Sequence, residues 1–475
     1  MPQARNIYLL DPKKLSPETI AVTFAKTSRS PLTFQKIADE LTDEKSADFH
    51  EKWVVGYGHS SVAEHAVLHI AVENLSRLAV ECLESNRLAS YTEKSSRYQI
   101  WDDDHYFTPN EIIGSHLEEE YHRIQHTLFN NYQNAVKKVT AFLLASKIRP
   151  ENESQKLFEQ RIRTCCADVC RYYLPSSALA NVGVTINARA LEHALVKLLS
   201  HNLSEVREIG REIKEVAQAN VPTLVKYAEE NAYLRHLINN YGQPARLHNY
   251  TAFLQEDWFK YIDCSGHDEN EILAALLFRF GHTSFSQAVQ RIQSMNELQK
   301  KEIAEDLLGR LGEFDTPIRE LEFSTIRLEV VLDQGAYFEL KRHRMMTQTV
   351  QPLTVHLGFA IPNLFNQAQV ADQFIQDMEK VIEVYQRIYD LSPDIAAYVV
   401  PNAFNRRILI QMNLRSAFHL IKLRSAPNAH FAIRRFALRL ADEISRRYPI
   451  FSKWLSPKGG ETWQSVSEDF FSQLA

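Results

Sequence analysis

A chain of 475 residues exceeds the roughly 250–300 at which a single core stops growing, so two domains are expected. Hydrophobic residues make up 45% and charged residues 24%, and the formal net charge of −5 excludes the strongly basic footprint of a nucleic-acid binder. Five cysteines without paired CxxC motifs argue against a disulfide framework or a four-cysteine zinc site, and fourteen glycines without GxGxxG or a P-loop leave any phosphate to side chains, arginine above all.

The first residues, MPQARNIYLLDPKKLSPET, carry no long apolar run, and no stretch of about 18 apolar residues follows. Neither a secretory signal nor a membrane span is expected, and a reducing cytoplasm fits the cysteines. Residues 66–73 alternate as a strand, and 81–98 (ECLESNRLASYTEKSSRY) read as a helix end followed by an extended loop. Helical spacing runs through 111–145. Cys165, Cys166 and Cys170 precede Arg171 on an apparent helix and read as small buried side chains. Asn187-Ala188-Arg189 lies before an amphipathic helix that ends near Pro222, and 203–230 keeps helical spacing. Turn residues in HLINNYGQPARLHNYT place a boundary near 235–270, giving domains 1–235 and 245–475. In the second half, 321–332 reads as a strand with one bulge and 366–391 as a helix. Asn413-Leu414-Arg415 lies before a helix that ends near Pro449.

The order of elements thus occurs twice. The offsets are 413−187=226 and 449−222=227, while Arg87 matches Arg344 at 344−87=257. The fold expected is α+β, with two tandem domains, each a small twisted sheet packed with long helices.

Glu93, Ser95 and Arg97 alternate along the extended loop and so can face one ligand. Arg97 and Ser95 can donate to an anion, and Glu93 can accept from a ribose or base. A polar loop with surface ion pairs is the plainer alternative. His65 and His69 stand four apart beside Glu64, but HExxH is absent, so metal ligation is not expected. A hydrolase using His59, Glu64 and His65 is the remote metal alternative. The pairs Arg406-Arg407 and Arg434-Arg435 read as solvated helix faces, or as contacts for an anionic tail. Met345-Met346 reads as packing, and Trp463 with Phe470-Phe471 as a docked tail.

Residues 85–98 resemble the R-H-R, seven residues, S-x-R signature of the flavin-dependent thymidylate synthase family. Arg87, Glu93, Ser95 and Arg97 match, while Ser85 and Asn86 replace the first Arg and the His. Gly58-His59-Ser60-Ser61-Val62-Ala63-Glu64-His65 resembles the family's GH-x-S/T-P-x-EH element. Arg171 to Pro175 resembles R-x-x-L-P, and Asn187 to Arg189 resembles N-A-R. The second half keeps Arg342-His343-Arg344, Asn413-Leu414-Arg415 and Arg424. It has Val350, Pro352, Thr354 and Ala397 in place of Glu93, Ser95, Arg97 and Arg171, and the first half's place for Arg424 is held by Leu198, or by Ser200 if the helix carries an insertion. A family Gln corresponds to Glu339, with Lys341 as its expected partner, and Glu320 falls where the EH histidine is expected.

The losses are complementary. In the family, each site forms where subunits of a homotetramer meet. The resemblance therefore implies one composite site between unlike halves, and a reciprocal site made weak or dead by Ser85, Asn86, Pro352, Thr354 and Ala397. It implies nucleotide contacts from Glu93, Ser95, Arg97, Arg171, Glu339, Arg342 and Arg424. Flavin contacts would come from His65, Arg87, Asn187, Arg189, Arg342, His343, Arg344, Asn413 and Arg415. No enzyme nucleophile and no metal are implied. The implied reaction converts dUMP to dTMP with FAD, NADPH and methylenetetrahydrofolate, in a homodimer that forms a pseudo-tetramer. Flavin-dependent C5 modification of another pyrimidine nucleotide is the alternative, and a non-catalytic flavin or nucleotide scaffold is the other.

Overall fold

The computed structural model describes residues 6–56, 59–101, 105–241, 257–262, 269–455, 457 and 460–473. Most of the expected boundary region, together with Gly58 and Cys264, lies outside the described residues.

The first half builds β1 (Val67–Ser76), β2 (Ala89–Glu93) and β3 (Leu179–Asn187) into an antiparallel sheet of order β1-β3-β2. Period-two alternation puts Leu68, Ile70, Val182, Val184 and Ile186 on the buried face. The second half contributes β4 (Phe259–Ile262), β5 (Ile326–Asp333), β6 (Thr347–Val350), β7 (Ile361–Pro362), β8 (Asn405–Met412) and β9 (Phe471–Gln473). Its main sheet has the order β4-β5-β8-β6. β7 and β9 pair with each other, which docks the C-terminal tail, and Phe471 is buried there.

The two sheets share one register. Ser76 faces Leu179 and Asp333 faces Asn405, with offsets 333−76=257 and 405−179=226. Glu93 faces Val182 and Val350 faces Ile408, with the same offsets, 350−93=257 and 408−182=226. A one-residue slip would turn every side chain to the other face, so equal register means equal cores. Ser76 and Asp333, the last residues of β1 and β5, each cap the next helix through a side-chain oxygen, a contact worth about 1 kcal/mol.

The bulge expected in 321–332 lies instead in β1, between Val72 and Leu75, where Asn74 has φ 58°. An asparagine tolerates this left-handed conformation. β5 pairs without interruption from Ile326, and residues Arg319–Phe323 form a 3-10 turn rather than strand. That turn matches Ser60–His65 in the first half. The extra residue of the bulge raises the offset upstream to 258, so Phe323 (323−65=258), not Glu320, takes the place of His65.

The two halves are joined about a local two-fold axis within one chain. Pro175 bridges Pro401, and 401−175=226. Ser176 N donates to Val400 O and Asn402 N donates to Leu174 O, both at 3.0 Å, and each bond is the image of the other.

Several helices are shorter than their periodicity predicts. The 111–145 pattern becomes Glu118–Ser146, because Gly114 turns at φ 75°. The 366–391 pattern becomes Ala371–Leu391. The helix expected to end near Pro222 is two, Ala188–Leu199 and Ser204–Gln218, broken at Ser200 to Leu203. The second half repeats the break, with Leu414–Arg424 and Phe431–Arg447. Within 81–98, Glu81 to Leu83 close the helix Arg77–Leu83, and Ala89–Glu93 is strand rather than loop. Among the described residues, no helix is long and apolar enough to cross a membrane.

Three of the four arginines in the basic pairs are buried, and Arg407 is partly exposed. Arg406 and Arg407 lie on β8, not on a helix, and Arg406 is buried against Glu81 at 2.7 Å. Arg434 and Arg435 are on a helix but buried, with Arg435 3.8 Å over the Trp258 ring. Each buried charge is held by a carboxylate or an aromatic face, and Arg407 pairs with Glu329 at the partly exposed side.

Candidate functional site

Arg171 begins the 3-10 turn that leads the chain to the two-fold axis at Pro175. Its side chain therefore crosses into the other half. Nη2 donates to Gly335 O at 2.9 Å, and Nη1 lies 4.0 Å from Glu339. A Cβ at Gly335 would stand 3.2 Å from this guanidinium and 3.0 Å from Asp333, so a larger residue there would make both side chains give by a few tenths of an ångström.

Glu339 sits near the end of the helix Gln334–Leu340. Arg424, the last residue of its helix, donates from Nη1 to Glu339 at 2.7 Å and from Nε to His343 Nε2 at 3.0 Å. Arg97 forks onto Asp168 at 2.7 and 2.9 Å, and its Nη2 also donates to Asn428 O at 3.1 Å. Arg97 and Arg171 come from the first half; Arg342, Arg424 and Glu339 come from the second. Burial alone would raise the Glu339 carboxyl, but Arg171, Arg342, Arg424 and Arg97 together hold it below the usual range. Those four guanidinium groups face the carboxylates of Glu339, Asp168 and, through Arg342, Glu93, and arginines outnumber carboxylates in the cluster.

His343 accepts from Arg424, which has only donors, so its ring is neutral with the proton on Nδ1. Burial, then Arg424 and His419, pull its pKa from 6.5 to about 3. The folded value is depressed, so stability is full above pH 6.5. Below that the unfolded chain takes up a proton that His343 refuses, costing about 1.4 kcal/mol per pH unit at most. Thermal melts at pH 7 and pH 5 should show a lower Tm at pH 5, and His343→Gln should narrow that difference.

Glu93 and Ser95 do not converge with Arg97 on open space. Glu93 ends β2 and is buried against Arg77 at 3.0 Å, Lys341 at 3.6 Å and Arg342 at 4.0 Å. These cations overcome burial and hold its carboxyl at about 2. The Ser95 hydroxyl accepts from Arg97 N at 3.2 Å and shapes the turn. Lys341 pairs with Glu84 at 2.7 Å rather than with Glu339, because the end of its helix faces the first half.

Arg87 and Arg344 form a reciprocal brace. Arg87 donates to Met346 O at 3.1 Å, and Arg344 donates to Ala89 O and Arg87 O. The offsets 344−87=257 and 346−89=257 make the two contacts images of each other. Arg189 pairs with Glu64, and Arg415 pairs with Glu322 at 2.7 Å. Asn187 and Asn413 cap the helices that follow them. His65 ends the 3-10 turn, not a strand shared with His69, and its ring lies 4.9 Å from that of Phe24. Among the described residues no group of three or more His, Cys, Asp or Glu is placed to hold a metal ion.

Two site partners were missed in the sequence. Asp168 stands three residues before Arg171, and Asp394 repeats it at 394−168=226; that recurrence was the available signal. Asn428 contributes only a backbone oxygen, which leaves no signal. The GH-x-S element also recurs as Gly281-His282-Thr283-Ser284, but helices Phe285–Gln293 and Glu297–Leu308 separate it from its 3-10 turn.

A model of the family described as thymidylate synthase complementing protein matches residues 10–223 and 263–450. A UPF0159 protein of Chlamydia muridarum is 29% identical over 434 residues, 88% of this chain and 82% of the relative. A UPF0159 protein of Thermoplasma acidophilum is 27% identical over 445 residues, 86% and 88% of the two chains. A flavin-dependent thymidylate synthase of Clostridium tetani is 28% identical over 214 residues, 45% of this chain and 82% of its own.

Proposed function

The chain belongs to the thymidylate synthase complementing protein family, and on that premise we propose that it methylates dUMP to dTMP with flavin, NADPH and methylenetetrahydrofolate, at one composite site per chain. The observation that carries this reading is the set of arginines drawn from both halves around Glu339. Arg97, Arg171 and Arg424 neutralise the nucleotide phosphate, while Arg342, whose side chain is 47% exposed, guards the open side. Fixed cations of this kind stabilise charge arriving on a ring without reorganising. Two chains would assemble as a pseudo-tetramer.

The donor set near the Arg342-His343-Arg344 loop fits a flavin in part. His343 is neutral, His419 lies 5.7 Å from it ring to ring, and Arg342 is open. These are the groups that would hold the ring and its anionic tail. Arg87, Arg344, Arg189 and Arg415 are engaged with backbone or carboxylates, so we assign them to positioning. The flavin, when bound, supplies the hydride.

Tritium release from 5-labelled dUMP, with all co-substrates present, tests the reading. Release is expected from the wild type and not from Arg171→Ala. No release from dUMP, with release from another labelled pyrimidine nucleotide, would move the substrate assignment. The carboxylate of Glu339 in place of the family's Gln is what favours that second reading, since it only accepts hydrogen bonds when ionised.

A further inference from the structure

The local two-fold axis creates a second place equivalent to the cationic cluster, and five side chains there have changed. Cys82 stands for Glu339 and Ser85 for Arg342, both at offset 257, and Thr354 for Arg97 at the same offset (354−97=257). Ala397 stands for Arg171 and Leu198 for Arg424, both at offset 226. All five line two adjoining cavities of about 510 and 270 Å³, which share Glu81, Cys82 and His201. Loss of four guanidinium groups left room rather than collapse.

We propose that this paired cavity is a second ligand site, which takes a nucleoside-sized pyrimidine compound without a phosphate. The ligand class rests on reading the cationic cluster as a nucleotide site. The cations that remain each have a partner. Arg406 is bound to Glu81 at 2.7 Å and Gln334 at 3.1 Å, and Lys341 to Glu84 at 2.7 Å. Arg87 and Arg344 donate to backbone carbonyls, and Lys197 donates to the Ser85 hydroxyl at 2.9 Å. A phosphate dianion would find none of the four arginines of the cationic cluster here. A ring system finds aromatic walls in Tyr337, Tyr385 and Tyr389. Gln348 lines the larger cavity, with its amide nitrogen held by Leu340 O at 3.3 Å and His343 O at 3.2 Å.

The site binds and does not react. His201 Nδ1 accepts from Leu203 N at 3.1 Å, so Nε2 carries the proton toward Cys82 Sγ at 3.4 Å. The imidazole therefore cannot take the thiol proton. Burial pushes the Cys82 thiol up to about 12, which removes it as a nucleophile.

Equilibrium dialysis with labelled 2′-deoxyuridine, and separately with dUMP, tests this on the intact chain. Saturable deoxyuridine binding is expected in the wild type and in Arg424→Ala. Ala397→Trp and, independently, Thr354→Trp should weaken it at least about tenfold, with melting curves to verify folding and with dUMP binding retained. Absence of saturable deoxyuridine binding to the wild type overturns the proposal, as does loss in Arg424→Ala with retention in both tryptophan variants. If dUMP fails to bind the wild type while deoxyuridine binding still follows the tryptophans, the cavity stands and the nucleotide reading of the cationic cluster falls.

Discussion

Arg424→Ala is expected to weaken dUMP binding at least about a hundredfold, or ~3 kcal/mol, while Leu198→Ala at the image position changes it by less than about twofold. Arg424 is a charged donor, its side chain is only 13% exposed, and it already sits on a carboxylate at 2.7 Å. A phosphate in its place would gain charge-assisted hydrogen bonds in a poorly solvated setting. Leu198 has no donor and faces the other cavity. Arg97→Ala should act like Arg424→Ala although 327 residues separate the two (424−97). The double variant should lose less than the sum of the two, because both cations act on one ligand. Calorimetric titration at fixed ionic strength reads all four variants. Equal losses at Leu198 and Arg424 would mean that the arginine cluster is not where the nucleotide binds.

The complementary losses were legible because each motif position is local in sequence. Arg342-His343-Arg344 survives in one half and Glu93, Ser95 and Arg97 in the other, and the chain brings Arg97, Arg171, Arg342 and Arg424 around one carboxylate. The repeat was legible for the same reason: constant offsets of 226 and 257 reappear as identical strand registers. What was hidden depends on contacts far apart in sequence. Glu81 and Arg406 are 325 residues apart, so neither hydropathy nor spacing marked Arg406 as buried. Glu93 alternates correctly with Ser95 and Arg97, yet the last residue of β2 points inward to Arg77 and Lys341. The bulge at Asn74 adds one residue to β1 alone, which moves the counterpart of His65 from 322 to 323 and accounts for one of the three residues between Glu320 and Phe323.

Glu339→Gln separates the two substrate readings, because they predict opposite signs. The Glu339 carboxylate is the anion that the arginines hold: Arg424 at 2.7 Å and Arg171 at 4.0 Å. A phosphate entering the cluster must share or displace those contacts. At an effective dielectric of about 20, two unit charges 4 Å apart interact by ~4 kcal/mol, an upper bound on the repulsion relieved. Allowing for screening, the variant should bind dUMP about tenfold to a hundredfold more tightly. The ligand-free variant should also melt at lower temperature, since buried guanidinium groups lose their counter-ion. The sign of the pH dependence follows from the depressed carboxyl. Its contribution to stability is present above the ordinary value of 4.5 and is lost as pH falls through the lower folded value. Above about pH 7 the wild-type carboxylate and the phosphate are both ionised, so the affinity gap between wild type and variant should be flat there and narrow as the phosphate takes up a proton at about pH 6. Weaker dUMP binding in Glu339→Gln would reverse the assignment: the carboxylate would then be accepting from a donor on the nucleotide, and a pyrimidine that carries an exocyclic amino group would be the ligand to test next.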